Sequence, residues 1–349
     1  MYIKREMIEA FALPITALLV SLLSFGVFIG VVGADPLGVY HSIFRGAFGS
    51  WFSWQNTLVR ATPLMLTALC TALPARMGLI VIGGEGAFVV GGLCSALMGL
   101  ALVDASAYIA LPGMLLTGAI TGGLWIAGVG ALKFYRGVNE TISSLLLNYI
   151  AIAIMNFLII GALRDPSTLN KPGTYPINVN HMLSEIGVSS IHWGFAIAIV
   201  FCVLLWIAFR KTIYGFAVDV VGGNLRAARL AGLPVSKLVL ATCFLGGAGA
   251  GIGGMIEIAA VHGRANTSLN ANYGYEGILI AFLARHNPIL IIPAAILLGG
   301  IRAASGLMQR MHDLPDATSL VLQGILFIII LASETFYGKF RFFRSEAKA

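Results

Sequence analysis

Acids and amides set into apolar runs are the residues of this sequence whose types could do chemistry. Glu85, Glu140, Glu257 and Glu276, with Asn139, Asn148, Asn156, Asn270 and Asn272, lie within or beside long hydrophobic stretches. A charge or amide in hydrocarbon is costly unless it faces a partner, water or a polar solute. Lined along a path, these groups offer donors and acceptors to a small polar molecule. The alternative for Glu85 and Glu276 is a carboxylate that caps free N–H groups at a helix start. Asn139 and Glu140 would cap in the same way, and Asn148 would make an interhelical hydrogen bond. Catalysis is not indicated. The six histidines show no H-E-x-x-H or paired spacing, and Cys70, Cys94, Cys202 and Cys243 fall in apolar segments at no metal-ligand or redox spacing. No G-x-x-x-x-G-K-[ST] occurs, so the sequence has no Walker cradle for ATP. GGAGAGIGG, Gly246 to Gly254, lacks the lysine and reads as helix-packing sequence.

A second group is basic. Between two apolar blocks, residues 210–237 carry Arg210, Lys211, Arg226, Arg229 and Lys237 against one acid, Asp219. Asn224 to Leu230 is a short Ala- and Arg-rich helix candidate, preceded by Gly222 and Gly223 and stopped by Gly232 and Pro234. Such a helix outside the bilayer can seat in a partner's groove. The alternative is an ordinary positive-inside loop.

The elements that must position these groups are membrane helices. Hydrophobic residues make 58% of the 349-residue chain and charged residues 11%, and the mean hydropathy is +0.90, values of a polytopic membrane protein. The apolar runs predict ten spans, near 11–32, 62–80, 82–102, 108–132, 141–163, 191–209, 238–261, 269–284, 289–307 and 317–333. The first follows a charged head and could be a signal peptide, but it is longer than a usual apolar core and no A-x-A site follows. Tyr40, Phe44, Phe48 and Trp51 sit at helical spacing and predict an amphipathic helix at the outer interface. Residues 164–190, with Pro166, Pro172 and Pro176, predict an extramembrane loop. With the N-terminus inside, the inner segments hold Lys4, Arg5, Arg76, Lys133, Arg136, Arg210, Lys211, Arg226, Arg229, Lys237, Arg285, Lys339, Arg341, Arg344 and Lys348. That bias puts both termini in the cytoplasm and accounts for the net charge of +7 without nucleic acid.

IGGEGAFVVGGL, with Glu85, and NYGYEGILIAFL, with Glu276, share a small-x-Glu-Gly start to an apolar run, and on the ten-span arrangement they run in opposite directions. An inverted repeat would produce this, with the solute path between the halves near the midplane. The segment that starts at Leu269 is short and reads as a broken helix.

The run G-x-N-x-x-A-A-R-x-A-G-L, here Gly222, Asn224, Ala227, Ala228, Arg229, Ala231 and Gly232, resembles the cytoplasmic coupling loop of ATP-binding-cassette (ABC) importer permeases of the branched-chain amino acid, ribose and nucleoside group. GVNETISSLLLNYIA (Gly137 to Ala151), GLIVIGGEGAFVVGGL (Gly78 to Leu93), RATPLMLTAL and FLARHNP are similar to segments of the nucleoside and simple-sugar permeases. Around Glu85 the family's Asn-Ile-Gly-Ala-Glu-Gly-Gln reads here as Val81 to Ala87, with an amide lost on each side of the acid. The resemblance implies one transmembrane permease domain over 1–349. Its parts would be an N-terminal span with an outer amphipathic segment (1–60), a first repeat (61–163), a linking span and coupling loop (191–237) and a second repeat (238–335). It also implies a cytoplasmic ABC ATPase that binds the ATP, a second permease subunit of a different chain, an extracytoplasmic solute-binding protein and a bacterial plasma (inner) membrane. The solute expected is a nucleoside, then a simple sugar. An ion-coupled secondary transporter is the alternative; it would place acids deep in spans and work alone.

Overall fold

The computed structural model describes residues 2–168, 171–187 and 189–334, with side chains over 16–333 of these. The basic tail from Phe336 and the side chains of Lys4 and Arg5 lie outside the described residues. The described residues are helical, with two isolated β-bridges. In chain order the helices are α1 Tyr2–Val32, α2 Pro36–Phe48, α3 Trp51–Ala75, α4 Gly84–Ala101, α5 Ala107–Arg136, α6 Glu140–Ile160, α7 Gly194–Lys211, α8 Ile213–Gly223, α9 Leu225–Leu230, α10 Val235–Glu257, α11 Tyr273–Leu283, α12 Pro288–His312 and α13 Ala317–Glu334. The chain is a polytopic membrane protein.

Seven of these helices are long and apolar enough to cross a bilayer, and eight if α1 and α2, bent by 119°, count as one span. α11, where an eighth span was expected, has 11 residues, which rise about 16 Å against a hydrocarbon core of about 30 Å. α13 is a shorter apolar helix. The expected second and third spans are also reapportioned. α3 begins at Trp51, well before Thr62, and stops at Ala75; a turn at 76–78 and an irregular apolar stretch at 79–82 lead to α4.

The chain forms two compact units. The smaller comprises residues 1–57 and 300–349. Here Asp35 caps α2, accepting from Leu37 N at 3.1 Å and Gly38 N at 2.9 Å, with Pro36 in the first turn. α2 folds back on α1, its Tyr40 hydroxyl donating to the Leu22 carbonyl and its ring 6.2 Å from Phe25. The four aromatic residues do not share one helix as their spacing predicted. Gly49 N closes α2 onto Arg45 O at 3.0 Å, and Trp51 opens α3. α1 packs on α13.

The larger unit, residues 58–299, is built on α4, α5 and α10. The glycines of Gly246 to Gly254 bring backbones together. A Cβ on Gly251 would stand 2.9 Å from Gly118 C and 3.1 Å from Gly122 Cα, so only glycine allows this crossing. α10 ends in a π-helical turn, Ile258–His262. The loop after α6 lies along it: Leu183 N donates to Ala259 O, Ile177 N to Gly263 O and Thr174 N to Ala265 O, each at 2.9 Å. Asp165 meets Arg264 at 3.2 Å. Its bonds from Ser167, and then this guanidinium, hold the carboxyl below its ordinary pKa.

Candidate functional site

Between α3 and α4 the chain makes a turn at 76–78 and then runs without regular structure over 79–82, and in a bilayer such backbone must find partners within the protein. Side chains from two neighbouring helices supply them. Thr141 Oγ1 donates to Ile80 O at 2.9 Å and Thr71 Oγ1 to Val81 O at 3.0 Å, while Ile82 N donates to Ser144 Oγ at 3.0 Å. Asn148 takes both sides of the next step. Its Nδ2 donates to Ile82 O and its Oδ1 accepts from Gly86 N, each at 2.8 Å. Two turns of α6 separate Asn148 from the helix start, so this contact lies about 12 Å along the bundle from Glu140.

At that depth the starts of α4 and α11 meet. Glu85, fully buried on α4, accepts from Asn272 N at 2.9 Å and from Gly274 N at 2.6 Å. It therefore caps the start of the other helix, across 187 and 189 residues of chain. The two N-terminal dipole ends converge on one carboxylate, which is where negative charge is favoured. A Cβ on Gly274 would stand 2.5 Å from Glu85 Cα and 2.6 Å from Gly84 C, so the two backbones touch. Thr67 Oγ1 donates to Tyr273 O at 2.9 Å, and Asn148 Nδ2 reaches the Tyr275 hydroxyl at 3.4 Å. Glu276 is buried within the first turn of α11.

The structure thus joins Glu85, Asn148 and Asn272 in one cluster, with Glu276 a turn away. The other acids and amides stand apart from it. Asn139 caps α6, accepting from Thr141 N at 2.9 Å and Ile142 N at 3.1 Å. Glu140 meets Lys133 at 2.7 Å. Glu257 lies 3.6 Å from His262 at the far end of α10, and Asn270 is exposed in the preceding loop. Thr67, Thr71, Thr141 and Ser144 were not singled out in the sequence, since hydroxyls in spans commonly bond back to their own helix. Among the described residues no three His, Cys, Asp or Glu gather as a metal site.

Beside the cluster, α4, α5 and α6 line a groove of about 710 Å³ that includes Val90, Thr121, Leu124, Trp125 and Leu147. Its wall is mostly apolar, with Thr121, Tyr135 and Arg136 as its polar members. Such a groove suits a flat ligand with a few polar atoms.

The basic island is more structured than its composition suggested. α8 occupies 213–223 and packs its Gly215, Ala217, Val218 and Val221 inward, with the Tyr214 hydroxyl 2.8 Å from Thr242 Oγ1. Asp219 meets Arg76 at 2.8 Å, and a Cβ on Gly222 would stand 3.1 Å from Arg76 C. Asn224 then caps α9, accepting from Arg226 N at 3.0 Å and Ala227 N at 3.1 Å. Ala228 is buried, and the Arg229 guanidinium lies 5.8 Å from the Phe134 ring centroid. Gly223, Ala227 and Ala231 are exposed. Gly232, at φ +74°, ends the helix in the left-handed region. Leu230, 91% exposed, projects from this six-residue helix.

A family described as branched-chain amino acid transport system / permease component matches residues 53–331. The chain is 30% identical to a glucose ABC transporter permease protein of Haloferax volcanii, over 95% of this chain and 90% of that one. It is 31% identical to a guanosine ABC transporter permease protein of Bacillus subtilis, over 92% of each. A nucleoside ABC transporter permease protein of Lactococcus lactis is 27% identical over 90% of this chain and 89% of its own.

Proposed function

The chain belongs to the branched-chain amino acid transport system permease family, and from that premise we propose that it imports a nucleoside-like solute under the drive of a separate ATPase. It is the membrane-spanning permease subunit of an ABC importer. The observation that carries the coupling is α9. This capped helix is pinned on one side by Ala228 and by Arg229 over Phe134, while Leu225 and Leu230 stay exposed. In this reading α9 seats on a cytoplasmic ABC ATPase, and ATP binding there moves α8 and α9 through the Arg76–Asp219 pair. A second permease of a different chain faces this one, and an extracytoplasmic binding protein delivers solute. Both termini lie in the cytoplasm of a bacterial-type plasma membrane, in agreement with the cations of the inner segments.

Nucleoside is favoured over simple sugar because the groove lined by Trp125, Leu124 and Leu147 is mostly apolar, and the flat face of a nucleobase suits such a wall better than a sugar ring does. Two of the three relatives named above carry guanosine or nucleosides in their names. An inverted repeat also belongs to the proposal. It is supported by the meeting of α4 and α11 at their N-terminal ends, each with an acid in its first turn.

The test is ATP hydrolysis in proteoliposomes that hold this chain with the ATPase and second permease it co-purifies, given binding protein loaded in turn with guanosine, glucose and leucine. Stimulation by guanosine alone is expected. Stimulation by glucose alone would reassign the solute. Uptake that follows an imposed ion gradient, with no ATPase retained, would replace the reading by an ion-coupled secondary transporter.

A further inference from the structure

Over residues 67–76, α3 and the residue that follows it hold three neighbours in turn, and the three holds differ in how readily they can be broken. At the end, Arg76 is gripped by α8 and α7. Its guanidinium meets Asp219 at 2.8 Å and lies 5.2 Å from the Phe209 ring centroid. Gly222 packs so close that a Cβ there would stand 3.2 Å from Met77 Cα. About 7 Å back along the axis, Thr71 Oγ1 donates to Val81 O at 3.0 Å, its one acceptor among the described residues. About 6 Å further, Thr67 Oγ1 lies 2.9 Å from Tyr273 O at the start of α11.

The Thr67 hydroxyl has a second acceptor at the same distance, Pro63 O in its own helix at 2.9 Å. A hydroxyl has one hydrogen, so turning it from Tyr273 O to Pro63 O releases α11 and leaves the hydroxyl paired. The Tyr273 carbonyl keeps a partner as well, since it opens the ladder of α11. The surfaces beside this bond are smooth: Gly277 lies against α3, where a Cβ would stand 2.8 Å from Ala68 N. On its other side α11 is held by the buried Glu85 carboxylate, whose bonds to Asn272 N and Gly274 N have no such substitute within reach of a charge.

We infer that α3 rocks about its Thr71 tie when α8 moves, and that Thr67 is the positioning residue that releases and retakes the start of α11 while α4 keeps hold of it; this rests on the proposed ATPase-driven import. A pull at Arg76 becomes a displacement of opposite sense at Thr67, about four-fifths as large from the two distances along the helix. A shift of about 1 Å there takes the bond beyond hydrogen-bonding length, a small shear of packed helices.

The test uses proteoliposomes that hold the full chain with its ATPase, second permease and binding protein, supplied with whichever of guanosine, glucose and leucine stimulates the wild-type complex. The quantity read is solute imported per ATP hydrolysed. Thr67→Val keeps the branched shape and removes the hydroxyl, and should lower that ratio about fivefold. Thr67→Ser, which restores the hydroxyl, should return it to the wild-type value. Asp219→Asn, whose side chain is 52% exposed, loosens the other end of α3 without touching the buried contact and should lower the same ratio. A merely structural Thr67 would lower uptake and hydrolysis in proportion. An unchanged ratio in Thr67→Val or in Asp219→Asn would overturn the inference while wild-type hydrolysis upholds the importer reading. A wild-type complex that retains no ATPase would remove both.

Discussion

Replacing Gly274 by alanine tests the meeting of α4 and α11 directly. The new Cβ would stand 2.5 Å from Glu85 Cα and 2.6 Å from Gly84 C, below the 3.0 Å that real Cβ atoms keep. Both obstacles are backbone, so no rotamer change relieves them, and the helix starts must part by about 0.5 Å or more. The same movement lengthens the bonds that Glu85 accepts from Gly274 N, now 2.6 Å, and Asn272 N, now 2.9 Å. Hydrogen bonds to a charged group contribute about 1.5–3 kcal/mol each, so losing both costs about 3–6 kcal/mol. For a unit of this size that lowers the unfolding temperature by roughly 10 °C. The buried thiols of Cys70, Cys202 and Cys243 provide the assay, since a thiol-reactive fluorophore labels them only as the detergent-purified protein opens. Gly128→Ala is the control: nothing lies within 4 Å of its added Cβ, and alanine in that helix interior should stabilise by about 0.5–1 kcal/mol. Glu85→Ala combined with Gly274→Ala should cost little more than either alone, because both remove the same bonds. A Gly274→Ala protein that unfolds within about 2 °C of wild type would refute the contact.

Asn148→Leu should destabilise by about 1–3 kcal/mol for each of the two backbone groups it strands, Ile82 O and Gly86 N, measured in the same thiol assay. Asn224→Ala removes the cap of α9 and should cost that helix about 1 kcal/mol, seen as roughly fivefold faster amide exchange over 225–230 with the rest of the chain unchanged. Arg229→Glu and Ala228→Pro should lower solute uptake about tenfold while membrane insertion stays normal; normal uptake in either variant would remove α9 from the coupling path.

Membrane class and the short coupling-type helix were legible in the sequence because each rests on local signals: long apolar runs, and an Asn followed by a two-turn Ala and Arg stretch between glycines. The span limits near residues 75–84 were not. Leu79 to Ile82 are as apolar as a helix interior, and what satisfies their non-helical backbone is a set of hydroxyl and amide groups on α3 and α6, including Asn148, 66 residues from Ile82. α8 was missed for the opposite reason, since Asp219 and the flanking cations mask an apolar run whose inward face shows only once it is packed. Glu85 was readable as a helix-start carboxylate, but its helix could not be named. A capping motif is written in adjacent residues, whereas this one closes between two halves of the chain.

That separation bears on how the protein is made. A ribosome releases Glu85 long before Asn272 and Gly274 exist, and during that interval the carboxylate has neither of its backbone donors. The non-helical stretch before α4 likewise waits for Thr141, Ser144 and Asn148 to be synthesised. A nascent chain cannot leave a bare carboxylate and unpaired peptide groups in lipid. The start of α4 must therefore stay hydrated, or sheltered by the insertion machinery, until α6 and then α11 arrive. Biogenesis of this subunit has an order imposed by one acid, and a chain truncated before residue 272 should be recognised by quality control even though most of its spans are complete.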